Sequence, residues 1–211
     1  MTKRVGLRAG TSFFLCVLMA LFSGCALQVK LTGGGKIPSQ DGVATDNAVF
    51  NVSGDNCGTT ANLEACEFPA AGHVNYKDPT ATTYAANGGV AFHGDISEID
   101  PCVSDLPSFS CLESEACAAC FNEFPEFIVG YASAVSYTST NTDFAGSGNA
   151  YVCLISPGQG PNNAAAEDLV GIVVTSGPYG GYTNEGAILH GNINSINCPA
   201  SQAAPLPTPL P

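Results

Sequence analysis

Tryptophan does not occur in this 211-residue chain, and positive charge is nearly missing: six Lys and Arg stand against 18 Asp and Glu. Charged residues make up only 11% of the chain. Each scarcity excludes something. A surface this acidic repels phosphate backbones, which rules out nucleic-acid binding. Few Glu, Lys and Arg leave little material for solvated helices, whereas 24 Gly and many Ser, Thr and Asn suit strands and turns. Without Trp platforms, the carboxylate pairs Glu113/Glu115 and Glu123/Glu126 make a poor case for glycoside cleavage. Long apolar runs are also lacking. The best one, Phe13–Phe22, is too short to span a bilayer as a helix.

That run has another reading. It follows Lys3, Arg4 and Arg8 and precedes Ser23-Gly24-Cys25, the order of a secretion signal. Small residues directly before a cysteine resemble the bacterial lipobox, although Phe22 replaces its usual Leu. Residues 1–24 therefore read as a lipoprotein signal peptide, with Cys25 acylated; an ordinary cleaved signal is the rival. Ala26 after the cysteine, rather than Asp, favours the outer membrane if the cell is Gram-negative. Cleavage would leave Lys30, Lys36 and Lys77 as the only cations against all 18 acids, a formal charge of −15. Such a surface is repelled by anionic headgroups, so the bilayer would be held through the lipid on Cys25 and not through a basic patch.

Eight cysteines remain: Cys57, Cys66, Cys102, Cys111, Cys117, Cys120, Cys153 and Cys198. An even set in an exported chain implies four disulfides. Cys57 and Cys66 flank a loop that they can close, and the four between Cys102 and Cys120 can pair among themselves. The rivals are a four-thiolate zinc site or a redox-active Cys117-x-x-Cys120.

Alternating apolar and polar residues predict strands at Leu27–Thr32, Val43–Val52, Gly72–Lys77, Val90–Ile99, Phe127–Thr138, Asn149–Ile155, Leu169–Thr175 and Ala187–Ile196. The fold class is all-β, an antiparallel sandwich or barrel. It carries a short disulfide-rich insertion at 100–125, with a possible helix over Cys111–Phe124. Residues 25–36 read as an anchor-proximal segment, 37–198 as one β-rich domain, and 199–211 as a Pro-rich tail without packing partners. An internal echo aligns residues 87–100 with 184–197 at a constant offset, with the two copies centred on His93-Gly94 and His190-Gly191. Two readings stand open: equivalent strands of a pseudo-symmetric fold, or convergent local patterns.

Several phrases, in order, resemble an uncharacterised bacterial extracytoplasmic domain, the post-COAP domain. They are Thr32-Gly33-Gly34-Gly35-Lys36-Ile37-Pro38, Gly72-His73-Val74-Asn75-Tyr76-Lys77-Asp78, Val90–Ile96, Gly146-Ser147-Gly148-Asn149-Ala150, and Ser176-Gly177-Pro178-Tyr179-Gly180-Gly181-Tyr182 leading to Gly191-Asn192-Ile193. The cysteine-rich insertion departs from that pattern. The resemblance implies a β-rich domain of exported, often surface-attached proteins, and no reaction.

Candidate chemistry is sparse. His93 and His190, with Asp95 or His73, are the candidate metal ligands if the strands carrying them meet. Calcium is the one cofactor with a compositional case, through Asp95, Glu98, Asp100 and Asp105 with the echo's Asn192, Asn194 and Asn197. No nucleophile elbow, zincin helix or phosphate loop occurs. The sequence thus predicts a non-catalytic, extracytoplasmic lipoprotein that displays a β domain for binding, adhesion or structure, with a protein or glycan partner left open. The alternatives are a secreted hydrolase using His93 or His190, which requires a concave site, and a periplasmic carrier of a small ligand, which requires a hollow barrel.

Overall fold

A computed structural model describes residues 28–40, 46–60, 67–102, 114–124, 130–155 and 168–199. Among these residues nine strands run in chain order: β1 (Val29–Pro38), β2 (Asn47–Asp55), β3 (Pro69–Asp78), β4 (Val90–Cys102), β5 (Gly130–Ser139), β6 (Ser147–Ile155), β7 (Leu169–Val174), β8 (Thr183–Ala187) and β9 (His190–Asn197). One helix, α1 (Glu115–Glu123), lies between β4 and β5. The expected all-β antiparallel class is what forms. Each strand from β1 to β7 pairs antiparallel with the next, and β9 pairs antiparallel with β1.

This order has a geometric consequence. β8 and β9 point the same way, and only Ile188 and Leu189 separate them. They are two halves of one kinked strand, the first held by β7 and the second by β1. The sheet therefore curls until its two edges meet along a seam. The Ile188 amide donates to the Asp168 carbonyl (2.9 Å) and the Leu189 amide to the Lys36 carbonyl (2.8 Å). The predicted strand Ala187–Ile196 contains this break, which a periodicity of two cannot reveal. Backbones approach so closely here that a Cβ on Gly35 would strike the His190 carbonyl, and one on Gly191, at φ +109°, would strike Gly34. That approach, rather than a loop, is the use of the glycines in β1. The strand expected at Leu27–Thr32 continues through them to Pro38, so the segment read as anchor-proximal supplies a strand flanked on both sides.

The alternation works as the pattern requires. Ala48, Phe50 and Val52 of β2, Val74 and Tyr76 of β3, and Val90, Phe92 and Ile96 of β4 are buried inside the curl. Between Ile96 and Glu98 the register against β5 shifts, leaving Ser97 as the extra residue of a bulge. The bulge is why Ile96 and Ile99, three apart, both face inward. The equivalent pair of the echo behaves differently: Ile193 is buried but Ile196 is 56% exposed. The first copy feeds one continuous strand, whereas the second straddles the break between β8 and β9. The two copies are not equivalent strands, and the pseudo-symmetry is not realised.

A second, smaller core lies outside the sheet. Helix α1 packs on the outer face through Ala116, Cys117, Cys120 and Phe124, against Ala132, Cys153 and Val173. The Phe124 ring occupies the space a side chain on Gly171 would need. Nine residues are too few for a helix to persist alone. The Ser114 side chain caps it by accepting from the Cys117 amide (3.1 Å), and two disulfides fasten it. Cys102–Cys117 ties it to the end of β4 and Cys120–Cys153 to β6.

The third disulfide, Cys57–Cys198, joins the loop after β2 to the end of β9, 141 residues apart. Two local expectations are thereby corrected. Cys57 does not close its loop with Cys66, and the insertion's cysteines do not all pair internally, because Cys120 reaches β6. Zinc and redox readings of Cys117-x-x-Cys120 fail too: each sulfur is bonded elsewhere, and they are not bonded to one another. Cys66 and Cys111 lie outside the described residues, as do residues 1–27, Cys25 among them, and residues 200–211. Three bridges point to an oxidising, extracytoplasmic compartment.

Candidate functional site

The inside of the curl is occupied by side chains. Tyr76, Phe92, Tyr137 and Tyr179 form a run of rings with successive centroids 5.4, 4.9 and 6.0 Å apart. Tyr84 caps it edge-on against Tyr179 and Tyr182. Valine, leucine and isoleucine side chains complete one continuous core. The described interior is a packed core rather than a ligand lumen.

One end of this core is polar. Asp78 is fully buried, and its carboxylate accepts from the Ser39 hydroxyl (2.5 Å), Tyr182 hydroxyl (2.7 Å), Gln40 amide (3.1 Å) and Thr80 amide (3.3 Å). Because Tyr182 gives its proton to Asp78, it must accept from Tyr76, 2.6 Å away. Tyr76 in turn accepts from the Asn184 amide (2.8 Å), which also reaches the Pro38 carbonyl (3.1 Å). Burial, with help from Asp78, raises both phenols above their ordinary range. Every member has a partner, and the chain of bonds joins the ends of β1 and β3 to β8. It latches the seam. In the sequence, Asp78 stands only as the residue after the predicted strand Gly72–Lys77.

A second buried carboxylate sits under α1. Asp100 is 1% exposed, accepts from the Phe68 amide (3.4 Å) and is also hydrogen-bonded by the Ser114 side chain. Burial pushes its carboxyl up to about 7, against the lowering by Ser114 and with help from Glu98 and Glu67. Glu98 is raised for the same reasons, burial first, then Glu67 and Glu115. Tyr151 is raised by burial and by its contact with Glu115. Among the described residues, no three His, Cys, Asp or Glu side chains stand as a metal-holding group. Of the calcium candidates, Asp95, Glu98 and Asp100 thus share a strand without converging on an ion, and Asp105 lies outside the described residues.

The histidines lie on the outer face. His93 and His73 occupy neighbouring strands with ring centroids 6.3 Å apart, and His93 Nδ1 meets Asn75 Oδ1 at 3.0 Å. His190 stands at the start of β9, opposite Lys36. β1, β2 and β3 separate it from β4, so the sheet does not bring His93 and His190 together. The candidate set His93, Asp95 and His190 is split.

A row the sequence does not reveal runs Ser53–His73–Asp95 across β2, β3 and β4. These are the residue types of a hydrolytic triad. They stand on an open face, however, and no hydrogen bond joins the three side chains. Among the described residues, no nucleophile–base contact is built there. A groove lies elsewhere on the surface, beside Cys57–Cys198, lined by Lys30, Asp55 and Ile196. Compared with known proteins, the chain matches no family model, no curated protein and no solved structure.

Proposed function

We propose that this is a non-catalytic cell-envelope lipoprotein. It is exported by residues 1–24, acylated at Cys25 and anchored in the outer membrane where the cell has one. It displays a disulfide-stapled β domain for binding, adhesion or structure. The observation that carries the reading is the filled interior. A curl packed with rings and sealed by the Asp78 latch presents only its outside, so the work falls to its surface. The open placement of the histidines supports a binding role over hydrolysis, and the packed core supports it over carriage of a small ligand. No helix among the described residues is long and apolar enough to cross a membrane. The resemblance of the ordered glycine-rich phrases to the post-COAP domain supports surface attachment.

The test is metabolic labelling with a palmitate analogue, followed by fractionation, for the wild type and Cys25→Ser. Label and membrane association are expected in the wild type and lost together in the variant. An unlabelled protein found in the cytosol with free thiols would overturn the reading.

A further inference from the structure

Two of the three lysines outside the leader are brought together by the register of the sheet. Lys36 of β1 and Lys77 of β3 both lie opposite Val49 of β2, one on each side. The lysines therefore flank Val49 on the outer face, about 10 Å apart across two strand spacings. Val49 is 45% exposed, and Leu189, whose amide bonds the Lys36 carbonyl, is 47% exposed. His190 extends the row beyond Lys36. One of the three large apolar side chains most exposed among the described residues thus sits between two lysines, with Leu189 exposed at the near end of β9.

Neither Lys36 nor Lys77 has a carboxylate partner among the described residues. In a chain with three acids for every Lys or Arg, that is not the arrangement self-neutralisation produces. Lys30, by contrast, stands directly across from Asp55. Unpaired cations around exposed apolar side chains form a surface complementary to anions alternating with apolar groups.

We propose that the row Leu189–His190–Lys36–Val49–Lys77 is a docking surface for an acidic, extended peptide segment of a partner protein. Its carboxylates would meet Lys36 and Lys77, and an apolar side chain between them would cover Val49. An extended peptide is favoured over an anionic bilayer by the width of the patch. Two cations on a surface of strong net negative charge admit a narrow strand, whereas a flat bilayer would also meet the surrounding acids. The proposal deepens the binding role given above but does not depend on lipid at Cys25.

The experiment is fluorescence anisotropy of a labelled synthetic peptide repeating Glu-Ser-Leu-Ser, which in extended form presents Glu and Leu in turn on one face, titrated with the full chain at low salt. Binding is expected, weakened about tenfold by the double substitution Lys36→Gln/Lys77→Gln, by a few-fold with Val49→Ser, and by added salt. Lys30→Gln should leave it unchanged. All these side chains are exposed, and circular dichroism checks that each variant folds. Equal binding by the double variant and the wild type, or an equal loss with Lys30→Gln, overturns the proposal. So does absence of peptide binding alongside sedimentation with phosphatidylglycerol vesicles. Peptide binding by a chain whose Cys25→Ser variant behaves identically upholds this surface even where the lipid anchor fails its own test.

Discussion

Replacing Asp100 by Asn should make the protein more stable at neutral pH and less sensitive to pH. The carboxyl is buried beneath α1 and holds its proton up to about pH 7, against the ordinary 3.8 of an aspartate. Between those values the folded state binds a proton that the unfolded chain has released. Stability therefore falls as pH rises through that window and levels off above it. Three pKa units correspond to about 4 kcal/mol at most. The site lies just under a short helix near solvent, so about 2 kcal/mol is the fairer magnitude. Asn keeps an oxygen for the Phe68 amide and cannot ionise. Urea unfolding of both proteins from pH 4 to pH 8 is the assay. The curves should nearly coincide at pH 4, with Asp100→Asn ahead by about 2 kcal/mol at pH 8. Glu98 is coupled to Asp100, so the difference reports the ionisation of Asp100 together with the repulsion between the two. Parallel curves would show that the carboxyl is not buried in its charged form's disfavour, and the packing of α1 described above would be wrong.

Two further outcomes follow from the same structure. Peptide mapping without reductant should recover Cys57–Cys198, Cys102–Cys117 and Cys120–Cys153; a Cys57–Cys66 peptide would contradict the closure of the seam's end. On the chain-entropy account, Cys57→Ser/Cys198→Ser should cost about 5 kcal/mol at most, against about 3 for Cys102→Ser/Cys117→Ser, because the first loop is far longer. Tyr182→Phe removes one donor from buried Asp78 and leaves Tyr76 without its acceptor. A loss of about 1–3 kcal/mol in chemical unfolding is expected, and no loss would mean that water replaces the latch.

Much of the fold was legible in the chain, for a local reason. A strand exposes alternate residues to opposite faces, so Phe50-Asn51-Val52-Ser53 and Val74-Asn75-Tyr76-Lys77 declare strand and inward face together. The helix over part of Cys111–Phe124 followed from a break in that alternation. Less was legible where the backbone departs from regularity. The bulge at Ser97 and the kink at Ile188-Leu189 shift the facing of later residues without changing composition, and so the echo around His93 and His190 looked like symmetry. The buried state of Asp78 and Asp100 was also hidden, since an aspartate in a strand-end phrase reads as a solvated turn. Its burial depends on donors such as Ser39 and Ser114, contributed from elsewhere in the chain.

By itself, the sequence settled the all-β class, the acidic surface and the inward or outward sense of most strand residues. All of these follow from composition and a two-residue period. Tertiary structure alone decided which strands are neighbours, which cysteines meet, and that Lys36 and Lys77 flank Val49 while His93 and His190 stay apart. Those outcomes depend on register and on the closing of the sheet upon itself. Both are set by packing between segments far apart in the chain, where no local pattern carries the information.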